Sequence, residues 1–188
     1  MEGFGRARRC LLALAVVLGA LAFQASAHAS TPGFFVGVDE DSVKWGQAPL
    51  VGSIANALGL KAVRLTVQWR PGDTALSPTQ KQVLNKAVLG TWGLRLVASV
   101  YGNAPDAPRT DQARADYCNF VGDLARTYPI VNDVVIWNDP NDGAFWDPQY
   151  NADGSSAAPA DYEALLARCY PVLHAVRSNM NSIRSLSV

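Results

Sequence analysis

The chain has 188 residues, with 16 basic and 16 acidic side chains and a formal net charge of zero. This length suits one folded domain. The balanced charge, with no basic stripe along the sequence, argues against a nucleic-acid partner.

Residues 1–27 have the pattern of a secretory signal peptide. Three arginines lie within the first nine residues, and the apolar stretch 10–23 that follows is too short to span a bilayer. Ala25-Ser26-Ala27 fits the small-residue cleavage pattern. We therefore expect residues 28–188 to form a secreted domain with no membrane segment after cleavage.

Strand-like and helix-like segments alternate along this domain. In order they are strand 34–38, helix 49–58, strand 62–67, helix 78–92, strand 94–100, helix 111–128, strand 134–137 and helix 160–177. The polar segment 182–188 is a candidate for a frayed fifth strand. The alternation predicts an α/β protein with a parallel sheet, but it does not separate a doubly wound sheet from half a barrel. A Gly-x-Gly-x-x-Gly fingerprint is missing after the first strand, which argues against dinucleotide binding.

Local signals support several helices. Ser77 and Gln80 form the pattern of a capping box with Pro78 at the first helical position, and Thr110 is a second candidate N-cap. In the first helix Leu50, Ile54 and Leu58 share one face. Pro171 lies inside the last helix, where it is expected to introduce a kink.

The fourth strand ends in Trp137-Asn138-Asp139-Pro140-Asn141. This segment resembles the Trp-Asn-Glu-Pro-Asn motif that ends strand 4 in retaining clan A glycoside hydrolases of the cellulase and β-xylosidase type. The resemblance implies the first half of a (β/α)8 TIM barrel, with four βα units over residues 28–188. It also implies a poly- or oligosaccharide substrate and no metal or cofactor.

The resemblance assigns roles within the motif. Asp139 takes the position of the catalytic acid/base, where the family has Glu, and Asn138 takes that of the residue that binds the sugar 2-hydroxyl. The nucleophile of the family is a Glu that ends strand 7, and the predicted elements of this chain stop near strand 5. Three descriptions therefore remain open: a hydrolase once the barrel is complete, a truncated sugar-binding remnant without the nucleophile, and a structural fragment that needs a partner half. Read without the resemblance, the same segment is a turn that ends a strand.

Further residues follow the strands at the end where barrel active sites lie. The resemblance places Arg64 beside the nucleophile carboxylate, and the residues alone equally suggest an ion pair with Asp39 or Asp41. Trp69, Tyr101 and Trp146 follow strands 2, 3 and 4. Each alone is compatible with core packing, and as a set they favour stacking on sugar rings.

Cys118 and Cys169 are the two cysteines of the expected mature domain. An even pair in an exported protein predicts a disulfide, although two buried thiols would also fit. Because four or five parallel strands cannot close a barrel, we further expect self-association through the open sheet edges.

Overall fold

The computed structural model describes residues 35–184. The expected signal peptide over residues 1–27, and the part of the frayed segment beyond residue 184, lie outside this range. Between these limits no helix is both long and apolar enough to cross a membrane.

Within residues 35–184, five parallel strands form one sheet. They are β1 Gly37–Asp39, β2 Ala62–Gln68, β3 Arg95–Tyr101, β4 Val131–Ile136 and β5 Asn181–Ile183. Each strand pairs with its neighbour in sequence, so the order across the sheet is β1-β2-β3-β4-β5. A doubly wound sheet reverses its order at a switch point, whereas this order winds in one direction as in a barrel. The fold is therefore a partial TIM barrel.

In the same described part of the chain, four helices connect the strands. They are α1 Ala48–Ala57, α2 Pro78–Gly90, α3 Asp111–Thr127 and α4 Ala158–Val176, and short 3₁₀ helices cover Asp41–Trp45 and Ala104–Asp106. The capping box of Ser77 and Gln80 is present, and the Thr110 hydroxyl accepts a hydrogen bond from the backbone N–H of Ala113. Helix α4 continues through Pro171 to Val176, so the proline does not end the helix.

The two faces of the sheet differ in chemistry. Alternate residues along each strand pack against the helices, and the main core includes Val63, Leu65, Val67, Leu96, Ala98, Val100, Val134 and Ile136. The opposite face is the inner face of a barrel, and it carries a small apolar cluster of Ala62, Val97 and Val135 among polar side chains. Arg95 and Asp133 form an ion pair there, and Asp133 is almost fully buried. Buried charge on this face requires such pairing.

Helix α1 packs through its small residues instead of its large apolar ones. Ala48, Gly52 and Ala55 are its buried positions, and a Cβ on Gly52 would lie 2.9 Å from the carbonyl oxygen of Gly90. Leu50, Ile54 and Leu58 do share one face, but each of these residues has between 51% and 69% of its area exposed. The apolar period therefore predicts the helix correctly, while close backbone contact with α2 determines which side is buried.

A disulfide joins α3 to α4. Cys118 and Cys169 are bonded with their Cα atoms 4.8 Å apart, as expected for the two cysteines. A Cβ on Gly122, one turn further along α3, would lie 2.9 Å from Val172 Cγ1 on α4. The two helices thus approach closely over more than one turn, and the bond fixes their contact covalently.

Strands β1 and β5 are the outer strands of this sheet, so we predict that the chain self-associates. Unpaired backbone groups along an exposed strand offer a template for another strand. Light scattering over a range of concentrations should show a mass that rises above that of the monomer. The control is Ile54→Lys, which changes only the exposed face of α1. A monomer at every concentration would contradict the prediction, and association abolished by Ile54→Lys would assign it to the helix face instead.

Candidate functional site

The Arg64 side chain connects four neighbouring strands of the sheet. Arg64 lies on β2, and its Nη1 donates to Asp39 Oδ2 of β1 at 2.5 Å. Its Nη2 donates to Ser99 Oγ of β3 at 2.9 Å and to Asn138 Oδ1, just after β4, at 2.6 Å. Arg64 is therefore both an ion-pair partner, as the residues alone suggest, and part of a cluster that includes the end of β1 and the turn after β4.

Asn138 and Asp139 lie in a tight turn directly after β4. Asn138 is buried and Asp139 is half-buried, and Asn138 Nδ2 lies 3.3 Å from Asp139 Oδ2. The residues on either side of Asn138 have left-handed backbones, with φ of 61° at Trp137 and 36° at Asp139. An aspartate adopts this conformation more readily than most residues, whereas a tryptophan there is strained. Such strain persists only where surrounding contacts enforce it.

Those contacts come from an aromatic cluster beneath the turn. The Trp137 ring is fully buried and meets the rings of Trp69, Tyr117 and Trp146 at centroid distances of 6.2, 5.8 and 5.7 Å. Trp137 Nε1 donates to the carbonyl oxygen of Phe145 at 2.7 Å. The indole is thus held by packing and by a hydrogen bond, which fixes the strained residue in place.

Trp69 and Trp146 belong to this core, which corrects the expectation that they stack on sugar. Their exposed fractions are 1% and 0%. A ring without exposed area cannot offer a face to a ligand. Their role here is to support Trp137 and, through it, the turn that carries Asn138 and Asp139.

Tyr117 connects the turn to β3. Its hydroxyl donates to the carbonyl oxygen of Val100 at 2.7 Å and accepts from the backbone N–H of Trp137 at 2.9 Å. Burial raises the pKa of Tyr117 well above its ordinary value, so the hydroxyl stays protonated and keeps both hydrogen bonds. Tyr117 was not predicted as a site residue, because its place within helix α3 gives no sign of these contacts.

Tyr101 is the one predicted aromatic residue that lies at the site with part of its ring accessible. Burial and the charges of Asp41, Asp39 and Asp139 raise its pKa, and Arg64 partly opposes this, so the phenol remains a hydrogen-bond donor. Its ring packs edge-on against Phe145 at a centroid distance of 6.0 Å. Phe145 was not predicted as a site residue, and its place beside Trp146 in a loop gave no periodic signal.

A hollow of about 230 Å³ lies beside Tyr101 at the ends of β2 and β3. Its lining residues are Lys44, Thr66, Gln68, Tyr101, Gly102 and Asn103. Because this set combines an aromatic ring with amide and hydroxyl groups, the hollow can offer both a stacking surface and hydrogen bonds to a polar ligand.

A second polar network braces the loop after β1 against β2. The Asp41 carboxylate accepts hydrogen bonds from the backbone N–H of Thr66 at 2.7 Å and from the Thr66 hydroxyl. Lys44 Nζ lies 3.0 Å from Asp41 and donates to the Thr66 carbonyl oxygen at 2.8 Å. Burial alone would raise the pKa of Asp41, but the hydrogen bonds from Thr66 and the charge of Lys44 outweigh it and hold the pKa below its usual value.

Gly102→Ala should destabilise the chain, because a Cβ there would lie 2.8 Å from the Trp69 carbonyl oxygen and 3.3 Å from the Trp137 ring. We expect a loss of about 1–3 kcal/mol in the free energy of unfolding, as for other overpacked positions. The control is Gly143→Ala, where the added Cβ meets only Gln149 Cγ at 3.9 Å. Urea denaturation measures both variants, and equal stability would show that Gly102 is not required for the approach of Trp137.

Replacing Asp41 by Asn should make stability less dependent on pH. The folded state holds the pKa of Asp41 below its ordinary value of 3.8, so the carboxylate stabilises the fold at higher pH. This contribution is lost as the pH falls through the lowered pKa. The wild type should therefore exceed Asp41→Asn in stability at pH 7, with the difference shrinking below about pH 4.

Chemical denaturation at several pH values measures this effect, with the exposed Asp147 changed to Asn as the control. A difference between wild type and Asp41→Asn that is constant with pH would contradict an ionic role for Asp41.

No protein-family model matches the sequence, and no curated protein matches it either. Among solved structures, the chain is similar to a family 39 glycoside hydrolase from the gut symbiont Bacteroides cellulosilyticus WH2, with a TM-score of 0.56 and 17% sequence identity. The similarity covers 79% of this chain and 31% of that one. The chain therefore shares part of the barrel fold of that structure.

Proposed function

We propose that this chain supplies the first strands of a retaining glycoside hydrolase that acts on O-glycosyl bonds of a poly- or oligosaccharide. The observation that carries the proposal is the Arg64 cluster. It joins side chains of β1, β2 and β3 to Asn138, in the turn after β4 and next to Asp139. Barrel enzymes place their chemistry at the carboxyl ends of the strands, where Asp39, Asn138 and Asp139 lie. The barrel fold shared with a glycoside hydrolase supports the same assignment.

Asn138 is the residue that positions the sugar. Arg64 binds its side-chain oxygen, so the amide cannot turn over without losing a charge-assisted hydrogen bond. This leaves the Nδ2 side of the amide directed toward Asp139. An amide N–H in a fixed direction is suited to a sugar hydroxyl close to the bond that is cleaved.

Asp139 is the proposed acid/base. In a retaining mechanism one carboxyl group protonates the leaving oxygen while the second attacks the sugar, and the first then takes a proton from the incoming water. Asp is one methylene shorter than the Glu of the family motif. A misplacement of about 1 Å can cost on the order of 100-fold in rate. The left-handed backbone at Asp139 suits aspartate.

Sugar binding without hydrolysis is the second candidate function. The Arg64 guanidinium, which in the resemblance neighbours the nucleophile, is bound here by Asp39. The nucleophile position is the end of a seventh strand, and residues 35–184 contain five strands. Within the described range the chain thus has the groups for binding a sugar and one of the two proposed carboxyl groups.

Secretion is part of the proposal. The basic residues, short apolar stretch and small-residue site at the start of the sequence support export. The disulfide between Cys118 and Cys169 is the kind of bond that persists in oxidising compartments.

Adding the second half of a related barrel tests the acid/base role. We expect the complemented protein to hydrolyse an aryl glycoside, with Glu at position 139 at least ten-fold more active than Asp because it restores the reach of the carboxyl group. Asp139→Asn should lower the rate by about 100-fold or more, since proton transfer is lost. Asp111→Asn is the matched control, an aspartate that is fully exposed on α3.

The chain without the second half of a barrel provides the measurement to compare with the complemented protein. Asp139→Glu in that form should stay inactive on aryl glycosides, because double displacement needs both carboxyl groups. Turnover by this variant would reveal a second catalytic carboxylate within the chain. If Asp139→Asn is as active as wild type after complementation, Asp139 is only a turn residue and the proposed mechanism is wrong.

A further inference from the structure

The loops at the two ends of the sheet differ in charge. The loops that lead into β2, β3, β4 and β5 cover residues 58–61, 91–94, 128–130 and 177–180, and they contain basic residues but no acidic one. The loops that follow the strands hold more than half of the acidic side chains in the described part of the chain: Glu40, Asp41, Asp73, Asp106, Asp139, Asp142, Asp147 and Asp153. The amino ends of the strands therefore form the positive end of the sheet.

Three cations at this amino end are available to a ligand. Lys61 directly precedes β2, Lys86 lies in the second half of α2, and Arg126 lies in the last turn of α3. All three are exposed, and none forms an ion pair with another residue of the range 35–184. The acidic residues in the parts of α3 and β4 that reach this end, Asp123 and Asp133, already accept hydrogen bonds from other groups. The positive charge here is therefore not neutralised within this part of the chain.

Large apolar side chains project from the same end. Trp92 lies in the loop between α2 and β3 with 84% of its area exposed, and Leu89 near the end of α2 exposes 80%. Leu58, which follows α1, and Val36, which precedes β1, are also exposed. A side chain that exposes four fifths of its area stands out from the surface instead of lining a groove. We call these residues and the three cations the basic-apolar surface: Val36, Leu58, Lys61, Lys86, Leu89, Trp92 and Arg126.

Backbone hydrogen bonds place parts of this surface side by side. The N–H of Lys61 donates to the carbonyl oxygen of Val36 at 2.8 Å, and the N–H of Arg95 donates to the carbonyl oxygen of Lys61 at 2.9 Å. The starts of β1, β2 and β3 are therefore neighbours, and the loop that carries Trp92 leads into the third of them. Apolar and cationic groups thus share one end of the sheet.

This end is opposite to the candidate functional site. Further βα units of a barrel would lie beside β1 and β5, so they would not cover the amino ends of β2 and β3. Asn138 and Asp139 lie at the carboxyl end. A partner that binds the basic-apolar surface therefore leaves the candidate site open.

The combination of projecting apolar groups and free cations fits an anionic lipid surface. Tryptophan and leucine side chains enter the boundary between headgroups and acyl chains, while lysine and arginine meet the headgroup phosphates. A second copy that met this surface through a two-fold axis would bring like charges together, which is unfavourable. Charge complementarity therefore favours a membrane over a symmetric dimer.

We propose that the basic-apolar surface binds the surface of an anionic phospholipid bilayer, with Trp92 as the inserting side chain. The binding is peripheral, in keeping with the finding that no described helix is long and apolar enough to span a membrane. It would hold the carboxyl end of the sheet, with Asn138 and Asp139, facing away from the lipid. The inference stands apart from the proposed hydrolysis and does not depend on it.

Co-sedimentation of residues 28–188 with phospholipid vesicles tests the proposal. This part of the chain contains every described element and omits the apolar stretch 10–23, which would bind lipid by itself. We expect binding to phosphatidylcholine vesicles that contain about one third phosphatidylglycerol, and about ten-fold weaker binding to phosphatidylcholine alone. Raising the salt concentration to about 0.5 M should weaken the binding, because the attraction is partly electrostatic.

Trp92→Ala and Lys61→Gln separate the apolar and electrostatic contributions. Loss of the indole should weaken binding to the anionic vesicles about ten-fold, because less apolar area enters the bilayer. Loss of the lysine should weaken it about five-fold and reduce its dependence on salt. The matched controls are Trp45→Ala and Arg70→Gln, two exposed residues in loops at the carboxyl end of the sheet. Both controls should bind as the wild type does.

The inference is overturned if the wild type binds neither kind of vesicle, or if Trp45→Ala weakens binding as much as Trp92→Ala does. Light scattering without lipid examines contact between copies of the chain. A mass that falls in Trp92→Ala, with vesicle binding unchanged, would assign the surface to such a contact and would also overturn the inference. None of these measurements uses hydrolysis, so the inference and the proposed function can fail separately.

Discussion

The structure depends on a positive charge placed inside a parallel sheet. Arg64 lies on the inner face of β2 with its side chain 30% exposed, and its partly desolvated guanidinium needs hydrogen-bond acceptors. Asp39 of β1, Ser99 of β3 and Asn138 of the turn after β4 supply them. The same contacts that satisfy the charge also determine where these groups stand relative to one another. The hydrogen bonds that neutralise the Arg64 charge therefore also fix the geometry of the site.

The left-handed backbone of the turn after β4 is the second constraint, and the aromatic rings packed around Trp137 enforce it. Its left-handed residues would relax to ordinary backbone conformations if the rings beneath did not fill the space around Trp137. Gly102 contributes by having no side chain where β3 passes close to Trp137. Asn138 and Asp139 are thus presented by a rigid core, which is how precise sites are generally supported.

Much of the fold could be predicted from the sequence, since alternating apolar patterns locate all the long elements to within a few residues. Trp69 shows that the position of a residue after a strand does not by itself tell which face of the sheet its side chain lies on. It follows Val63, Leu65 and Val67 at a spacing of two, and this parity places it among residues that face the helices. Tyr101 has the parity of Val97 and Ser99 and lies on the inner face. Strand parity therefore separates the two residues, although both follow a strand.

Other features have no signal of this kind. Trp146 and Phe145 are neighbours in a loop, where no period relates position to burial, and one ring is in the core while the other is at the site. The buried side of α1 was equally hard to predict, because small residues at a close backbone approach outweigh the preference of leucine for the interior. The order of the strands could not be predicted from the alternation of strands and helices alone, because that alternation fits both a doubly wound sheet and half a barrel.

The disulfide has a topological consequence. Cys118 and Cys169 are 51 residues apart in sequence, and the closed ring that they form contains β4, the turn with Asn138 and Asp139, and the whole loop between β4 and α4. A protease that nicks the exposed stretch between residues 150 and 156 would cut the backbone without parting the two pieces. The severed ends would stay tethered through α3 and α4, and only a reductant would release them.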